Sequence, residues 1–151
     1  MKKVGFVSIS KNYNQRISYL DPNLLTDGGR DQFHSQCYIE TSPTATERGT
    51  GWIGVTTNTT GPSASDTSLT GELSSNGFTR SDAVTKTHTN GTNSSTIEHT
   101  FTASGTVTAI HKSALFDATT SGNMSHIANF SADVSVISGD TLKVTWTLNL
   151  G

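Results

Sequence analysis

Near its C-terminal end the chain contains the segment Thr141-Leu142-Lys143-Val144-Thr145-Trp146-Thr147-Leu148-Asn149-Leu150, in which every second side chain is apolar. Successive side chains of a β-strand point to opposite faces, so this segment is predicted to be a strand with one buried and one solvated face. Trp146 lies on the apolar face, which indicates a core residue. Ser138-Gly139-Asp140 is a turn signal that follows Val134 and Val136. We therefore expect a β-hairpin here and place it at the centre of the sheets.

The chain before this segment contains further short runs of alternating residues that are separated by turn signals. The strongest hairpin signal among them is Asn90-Gly91. The predicted strands cover residues 52–57, 83–88, 96–102, 107–112 and 124–132. Many short strands in succession are typical of an all-β fold, and we predict one domain built as an antiparallel β-sandwich or jelly-roll-like fold.

One or two short helices are expected beside the strands. Thr26 or Asp27 is suited to cap a helix that runs towards residue 38. The side chains that would share one face of this helix are Phe33, Cys37 and Tyr38. A second helix is predicted over residues 65–73, because Leu69 and Leu73 stand at i, i+4 spacing behind a capping residue.

The composition favours a folded domain with polar outer faces. Hydrophobic residues make up 32 % of the chain and charged residues 15 %, whereas 26 Thr and 20 Ser supply a large hydroxyl-bearing fraction. Thr suits the half-solvated surface of a sheet. Disorder is the alternative for such a composition, but the net charge of −2 and the regular apolar alternation argue against it.

The N-terminal part differs in charge from the rest of the chain. Residues 1–30 carry a net charge of +3 and residues 31–151 a net charge of −5. We predict an extended arm over residues 1–23 on a β-sandwich domain over residues 24–151, with a short strand in residues 1–10 that lacks a partner in its own subunit. The arm is expected to bind an acidic partner, although a solvated tail would carry the same lysines. The candidate partner-binding residues are Lys2, Lys3, Val4, Phe6, Lys11, Tyr13, Arg16, Ile17, Tyr19 and Leu20.

Motifs for catalysis or metal binding are missing from the sequence. Five histidines occur without the spacing of a local ligand pair, although three of them could still converge in the fold. There is neither a Gly-x-Ser-x-Gly elbow nor a phosphate-binding glycine loop. The single cysteine, Cys37, excludes an internal disulfide and is expected to be half-buried. We therefore expect no enzyme activity, no metal and no cofactor.

The same features restrict the classes of partner. The acidic body argues against nucleic acid, and no window approaches the roughly 18 apolar residues of a membrane span. Trp52 opens a predicted strand and is expected to be partly exposed, so a carbohydrate-binding module remains an alternative.

Several stretches in this order resemble a family of small virion structural proteins of tailed bacteriophages, over about residues 24–151. They are 24–31 (LLTDGGRD), 52–55 (WIGV), 65–73 (SDTSLTGEL), 77–80 (GFTR), 100–105 (TFTASG), 114–116 (ALF) and 138–146 (SGDTLKVTW). The family tends to have Gly before Leu-Phe, where this chain has Ala114. Residues 1–23 lie outside the resemblance.

The resemblance implies a role in a virion that is assembled in the host cytoplasm. The first expectation is a capsid decoration (cement) protein that binds the major capsid protein or other virion proteins and staples them as a homo-oligomer, a trimer or a dimer. The alternative is a tail, neck or fibre component that has a structural or a receptor-binding role.

Overall fold

The computed structural model describes residues 6–8, 20–22, 26–34, 37–38 and 49–150. Its elements in chain order are β1 (Phe6–Ser8), β2 (Leu20–Pro22), α1 (Asp27–His34), β3 (Trp52–Thr56), β4 (Ser81–Asp82), β5 (Thr85–His88), β6 (Ser94–Thr102), β7 (Val107–Phe116), β8 (Met124–Val136) and β9 (Thr141–Asn149). The expected strands are therefore present, and Asn90-Gly91 lies in the turn between β5 and β6, as predicted.

Two antiparallel sheets form the body, which confirms the all-β sandwich. One sheet has four strands in the order β4-β3-β7-β8, and the other has three in the order β5-β6-β9. Their facing sides enclose a core that includes Ile53, Ile97, Phe101, Ile110 and Leu115. Along β6 the buried Ile97 and Phe101 alternate with the more polar Glu98 and Thr100, as expected for a strand with one buried face. Leu115 instead lies between Ala114 and Phe116, which are buried in a second cluster.

The segment that begins at Thr141 forms β9 with the predicted alternation. Val144 and Leu148 are buried, Leu142 and Trp146 are half-buried, and the residues between them are exposed. Its predicted central position is wrong, because β9 pairs with β6 alone among the described strands and forms the edge of its sheet. Alternation reports only which face the opposite sheet covers, so it cannot tell an edge strand from a central strand.

The predicted hairpin between β8 and β9 is also wrong, because the two strands belong to different sheets. The turn between them is fastened to the end of β6: the Gly139 amide donates to the Ala103 carbonyl, and the Ala103 amide donates to the Asp140 carbonyl, both at 2.8 Å. The chain thus crosses from one sheet to the other at this turn, which places β9 along β6.

The two predicted helices have different outcomes. The first is present as α1, with the Thr26 hydroxyl accepting from the Gly29 amide at 3.1 Å. Of the face predicted for this helix, Tyr38 is buried, but Phe33 is exposed and its place is taken by the buried His34. The expectation that Cys37 is half-buried is wrong, because Cys37 is exposed.

The second predicted helix, over residues 65–73, is replaced by turns. Local hydrogen bonds compete with the helix there, since the Ser63 amide donates to the Asp66 carboxylate at 2.8 Å. Gly71 has a φ of 68°, a left-handed conformation that would interrupt any helix.

At the N-terminal end, β1 pairs with β2 in an antiparallel ladder, from Phe6 opposite Pro22 to Ser8 opposite Leu20. The expectation of a strand without a partner in its own subunit is therefore wrong. Local pairing satisfies the backbone groups that each short strand points at the other.

Candidate interaction surface

Of the residues predicted to bind a partner, only two belong to the described part of the chain. Phe6 lies in β1 and Leu20 lies in β2. The other eight predicted residues lie outside the described residues; they are Lys2, Lys3, Val4, Lys11, Tyr13, Arg16, Ile17 and Tyr19.

The outer face of the four-stranded sheet carries a second apolar cluster. Leu69, Ala114 and Phe116 are buried there. Around them Trp52, Met124 and Ile127 are only partly buried, and we name these three residues the outer patch. The register explains this grouping, because Trp52 pairs with Phe116 and Phe116 pairs with Met124 across three neighbouring strands. The expectation that Trp52 is partly exposed is thus confirmed.

An arginine–glutamate pair closes one side of this cluster. Arg80 donates from Nε and Nη2 to the two carboxylate oxygens of Glu72, at 2.7 and 2.5 Å. Its Nη1 donates to the carbonyl groups of Ala118 and Ser121, at 3.1 and 2.8 Å. The side chain of Arg80 is only 10 % exposed, so its charge depends on these acceptors. One side chain thus joins the loop after β7 to the segment before β4.

Gly54 is required beneath this pair. A Cβ at position 54 would stand 2.6 Å from a carboxylate oxygen of Glu72 and 3.2 Å from the ring of Phe116. Four of the stretches that carry the resemblance therefore meet at one point, through Gly54, Glu72, Arg80 and Phe116. Their contacts join four segments of the chain on the outer face of the four-stranded sheet.

The next stretch of this outer face is covered by the segment that follows β3. The Thr56 hydroxyl lies 2.8 Å from the carbonyl oxygens of both Thr70 and Gly71. The ammonium of Lys112, a residue that is 4 % exposed, donates to the Asn58 side chain at 3.2 Å and to the Thr60 carbonyl. These polar contacts fix an irregular segment onto the sheet and satisfy a buried charge.

A hydrogen bond between Asp31 and His88 connects helix α1 to the three-stranded sheet. Asp31 accepts from His88 Nε2 at 2.9 Å and from the Gly91 amide at 3.1 Å. His88 Nδ1 lies 2.9 Å from the Ser94 carbonyl oxygen. Both ring nitrogens of His88 thus lie within hydrogen-bond distance of an oxygen, one on α1 and one on β6.

A row of aromatic rings continues from this contact into the core. His34 is fully buried, stacks on His88 with 4.3 Å between ring centroids, and bonds through Nδ1 to Ser95 Oγ at 2.5 Å. Tyr38 lies next to His34, and His126 follows at 6.0 Å from Tyr38. Burial raises the pKa of Tyr38, with a further contribution from Cys37, and burial lowers the pKa of His126.

Trp146 ends this row on the inner face of β9, as predicted from its alternation. Its ring lies 6.2 Å from the ring of His126, and its Nε1 donates to Ser113 Oγ at 3.2 Å. It packs against the core although it is only partly buried. It therefore lies at the side of the sandwich where the edge strands β8 and β9 of the two described sheets meet.

The outer face of the three-stranded sheet is rich in threonine. The aligned rows include Thr87, Thr96 and Thr147, and also Thr102 and Thr141. Glu98 is the acidic residue of this face, where it accepts from Lys143 Nζ at 2.9 Å and from the Thr145 hydroxyl at 2.8 Å. These two hydrogen bonds lower the pKa of Glu98, that of Lys143 contributing most.

The histidines do not form a metal centre in the described part of the chain. Three of them lie in or beside the aromatic row, whereas His99 bonds to the Asp82 carbonyl at 2.8 Å and His111 to the Asp133 carboxylate at 2.5 Å. No group of three or more His, Cys, Asp or Glu side chains among the described residues is arranged to hold a metal ion. Within the same residues, no helix is long and apolar enough to cross a membrane.

Sequence reasoning missed the contact between α1 and the β5–β6 turn. Asp31 and His88 are 57 positions apart. The only local sign was the position of His34 and Tyr38 at i, i+4 spacing, which places them on one helical face. Phe33 is more hydrophobic than His34 and was therefore predicted to be the core residue, but it is 52 % exposed.

Comparison with protein families matches residues 40–147, more than two thirds of the chain, to the family Gp80, described as podophage GP4 fiber I protein gp80. The matched residues contain all of β3 to β8 and most of β9, whereas α1 precedes them. No curated protein and no solved structure matches the chain. The expected resemblance to virion structural proteins of tailed phages is confirmed, and the chain belongs to the podophage GP4 fiber I protein gp80 family, as a component of the virion.

Proposed function

We propose that this chain is a structural subunit of the tail or fibre apparatus of a tailed phage, with no catalytic role. The observation that carries the proposal is the family match, which spans the sandwich from β3 into β9 and names a fiber protein. It favours the fibre alternative over the capsid decoration that was expected first. The contacts of Glu72 and Arg80 support a structural role, because they rigidify the body.

Localisation on intact particles tests this proposal. Antibodies against the isolated protein, coupled to gold, are expected to label the tail or its fibres in electron micrographs of the phage. Particles that lack the protein serve as the control for specific labelling. Gold spread over the capsid shell would overturn the proposal and restore the decoration role.

We further propose that residues 1–23 attach the subunit to a neighbouring virion protein. Their basic charge, set against the acidic remainder of the chain, supports an acidic partner. A chain without residues 1–23 is expected to keep the melting temperature of the sandwich but to be missing from purified particles. Normal incorporation of this truncated chain would overturn the attachment role.

A second candidate role is contact with host carbohydrate through the outer patch. The partly exposed ring of Trp52 favours it, since sugars stack on exposed aromatic faces. Host surface glycans should then quench the fluorescence of the wild-type protein but not that of Trp52→Phe, in which Trp146 remains. Equal quenching of both proteins, or none, would contradict this role.

A further inference from the structure

Among the described residues, one long edge of the sandwich, that of β9, has no strand paired to it. β9 pairs with β6 over nine consecutive residue pairs without a register shift, and it contains no proline. The other edges of the sandwich are shorter or irregular: β4 has two residues, β5 has four, and the pairing of β8 is interrupted by register shifts. Short strands and bulges protect sheet edges from further pairing. β9 is neither short nor interrupted by a bulge.

The hydrogen bonds that flank β9 identify its free backbone groups. The Ala103 amide donates to the Asp140 carbonyl, and the Leu150 amide donates to the Asn93 carbonyl, both at 2.8 Å. Hydrogen-bonded pairs recur at every second residue of an antiparallel ladder. The even-numbered residues of β9 therefore bond to β6. The residues whose backbone amide and carbonyl groups point away from the sheet are Thr141, Lys143, Thr145, Thr147 and Asn149.

Lys143, the one charged residue of β9, is not placed to prevent another strand from pairing with this edge. Lysine on an edge strand normally opposes pairing because its ammonium stays in solvent beside the strand. The ammonium of Lys143 instead lies 2.9 Å from the carboxylate of Glu98 on β6. The same carboxylate accepts from the Thr145 hydroxyl. The side chain of Lys143 therefore lies across its own sheet, where the carboxylate of Glu98 neutralises its charge.

We propose that β9 pairs with β9 of a second copy of this chain, antiparallel and about a two-fold axis at Thr145. In this register Lys143 lies opposite Thr147 of the partner subunit, and Thr141 lies opposite Asn149 of the partner subunit. Each of the five outward pairs exchanges two backbone hydrogen bonds. The two three-stranded sheets then become one continuous six-stranded sheet, an isologous interface.

Self-complementarity of the strand selects this register. An axis at Thr145 uses all nine residues of β9, whereas an axis at Lys143 would place two ammonium groups opposite each other. On the inner face, Val144 comes opposite Trp146 of the partner subunit, and Leu142 comes opposite Leu148 of the partner subunit. The pairing thus covers Leu142 and Trp146, which are only partly buried in the single chain.

Cysteine cross-linking of the full chain tests whether two β9 strands pair and whether they do so in the proposed register. The exposed Cys37 is first replaced by serine. Thr145→Cys should then form a covalent dimer on mild oxidation, because hydrogen-bonded pairs have Cα atoms about 5.5 Å apart, within disulfide range. Thr100→Cys is the matched control: it is an exposed threonine on the same outer face, but on the central strand β6, at least about 14 Å from its symmetry mate.

The register is tested with a mixture of two variants. Thr147→Cys alone and Lys143→Cys alone should stay uncross-linked, since each lies about 13 Å from its own mate. Mixed together, they should form the heterodimer. Cross-linking of either single variant as efficiently as the mixture would overturn the register.

The oligomeric state gives a measurement that does not depend on cysteine. The wild-type chain should be a dimer by light scattering, and Thr145→Pro should be a monomer with an unchanged circular dichroism spectrum. Proline at this position removes only an outward amide, so the bonds to β6 are kept. A monomeric wild type, or a dimer in which Thr145→Cys cross-links no faster than Thr100→Cys, would overturn the proposal.

Discussion

The guanidinium carbon of Arg80 lies 3.4 Å above the centre of the Phe116 ring, while the same guanidinium binds both carboxylate oxygens of Glu72. The ring covers one face of the cation, and the carboxylate binds its edge. Cation–π contact and bidentate pairing both require the planar guanidinium. Arg80 thus joins Glu72 and Phe116 on the outer face of the four-stranded sheet.

Replacing Arg80 by lysine should therefore destabilise the protein although the charge is kept. We expect the free energy of unfolding to fall by about 2–3 kcal/mol, less than for a fully buried pair because Glu72 remains 23 % exposed. Urea denaturation measures this loss. Lys143→Met, which breaks the exposed pair with Glu98, is the control and should change the midpoint little. Equal midpoints for Arg80→Lys and wild type would contradict the prediction.

Removing the carboxylate of Asp31 should loosen α1 from the sheet. In Asp31→Ala, the Gly91 amide and the His88 ring both lose their hydrogen bonds to the Asp31 carboxylate. Amide hydrogen exchange at Gly91 should then speed up by about tenfold or more, as expected for a charged acceptor. The control is Asp133→Ala, which breaks the more exposed pair with His111 and should leave exchange at Gly91 unchanged.

The half-buried ring of His126 should make stability depend on pH. Burial lowers its pKa in the folded chain below the ordinary 6.5, so the unfolded chain binds a proton first as the pH falls. The free energy of unfolding should therefore decrease as the pH is lowered from about 7.5 to 5.5. His126→Phe keeps a ring between Tyr38 and Trp146 but cannot titrate. Thermal melts should show a shallower pH dependence for this variant; identical slopes would exclude the role of His126.

Two glycines with the same backbone conformation should respond differently to alanine. Gly77 and Gly91 have φ values of 86° and 83°. A Cβ at position 77 would collide with the carbonyl oxygen of Thr102, whereas the space around position 91 is open. Gly91→Ala should cost about 1–2 kcal/mol for the left-handed backbone alone. Gly77→Ala should cost clearly more in the same denaturation experiment, and a cost no greater than that of Gly91→Ala would contradict this account.

Local pattern was sufficient to predict what each strand buries. Ile97 and Phe101 are on the inner face of β6 as their spacing requires, and Trp146 lies on the inner face of β9. Local pattern was insufficient for the segment around Leu69, whose i, i+4 partner suggested a helix. There the hydrogen bonds of Thr56 to Thr70 and Gly71 outweigh helical propensity, and these join residues that are far apart in sequence.

The sequence alone predicted less about which residues lie together in the candidate interaction surface. Trp52 could be recognised as partly exposed, but Met124 lies two strands away, and only the pairing of Phe116 with both residues places them in one cluster. The partnership of Asp31 with His88 likewise depends on how α1 meets the β5–β6 turn. The resemblance to phage virion proteins identified the family, while the tertiary structure showed that Glu72, Arg80 and Phe116 belong to one cluster.

The sequence by itself determined that this chain forms β-strands with one buried face, and it determined which residues of the segment from Thr141 to Leu150 face the core. Both follow from the two-residue period of a strand, which is a local property. Only the tertiary structure decided that β9 is an edge strand. That position depends on the fastening of Gly139 and Asp140 to Ala103, a long-range contact that leaves no periodic signal in the sequence.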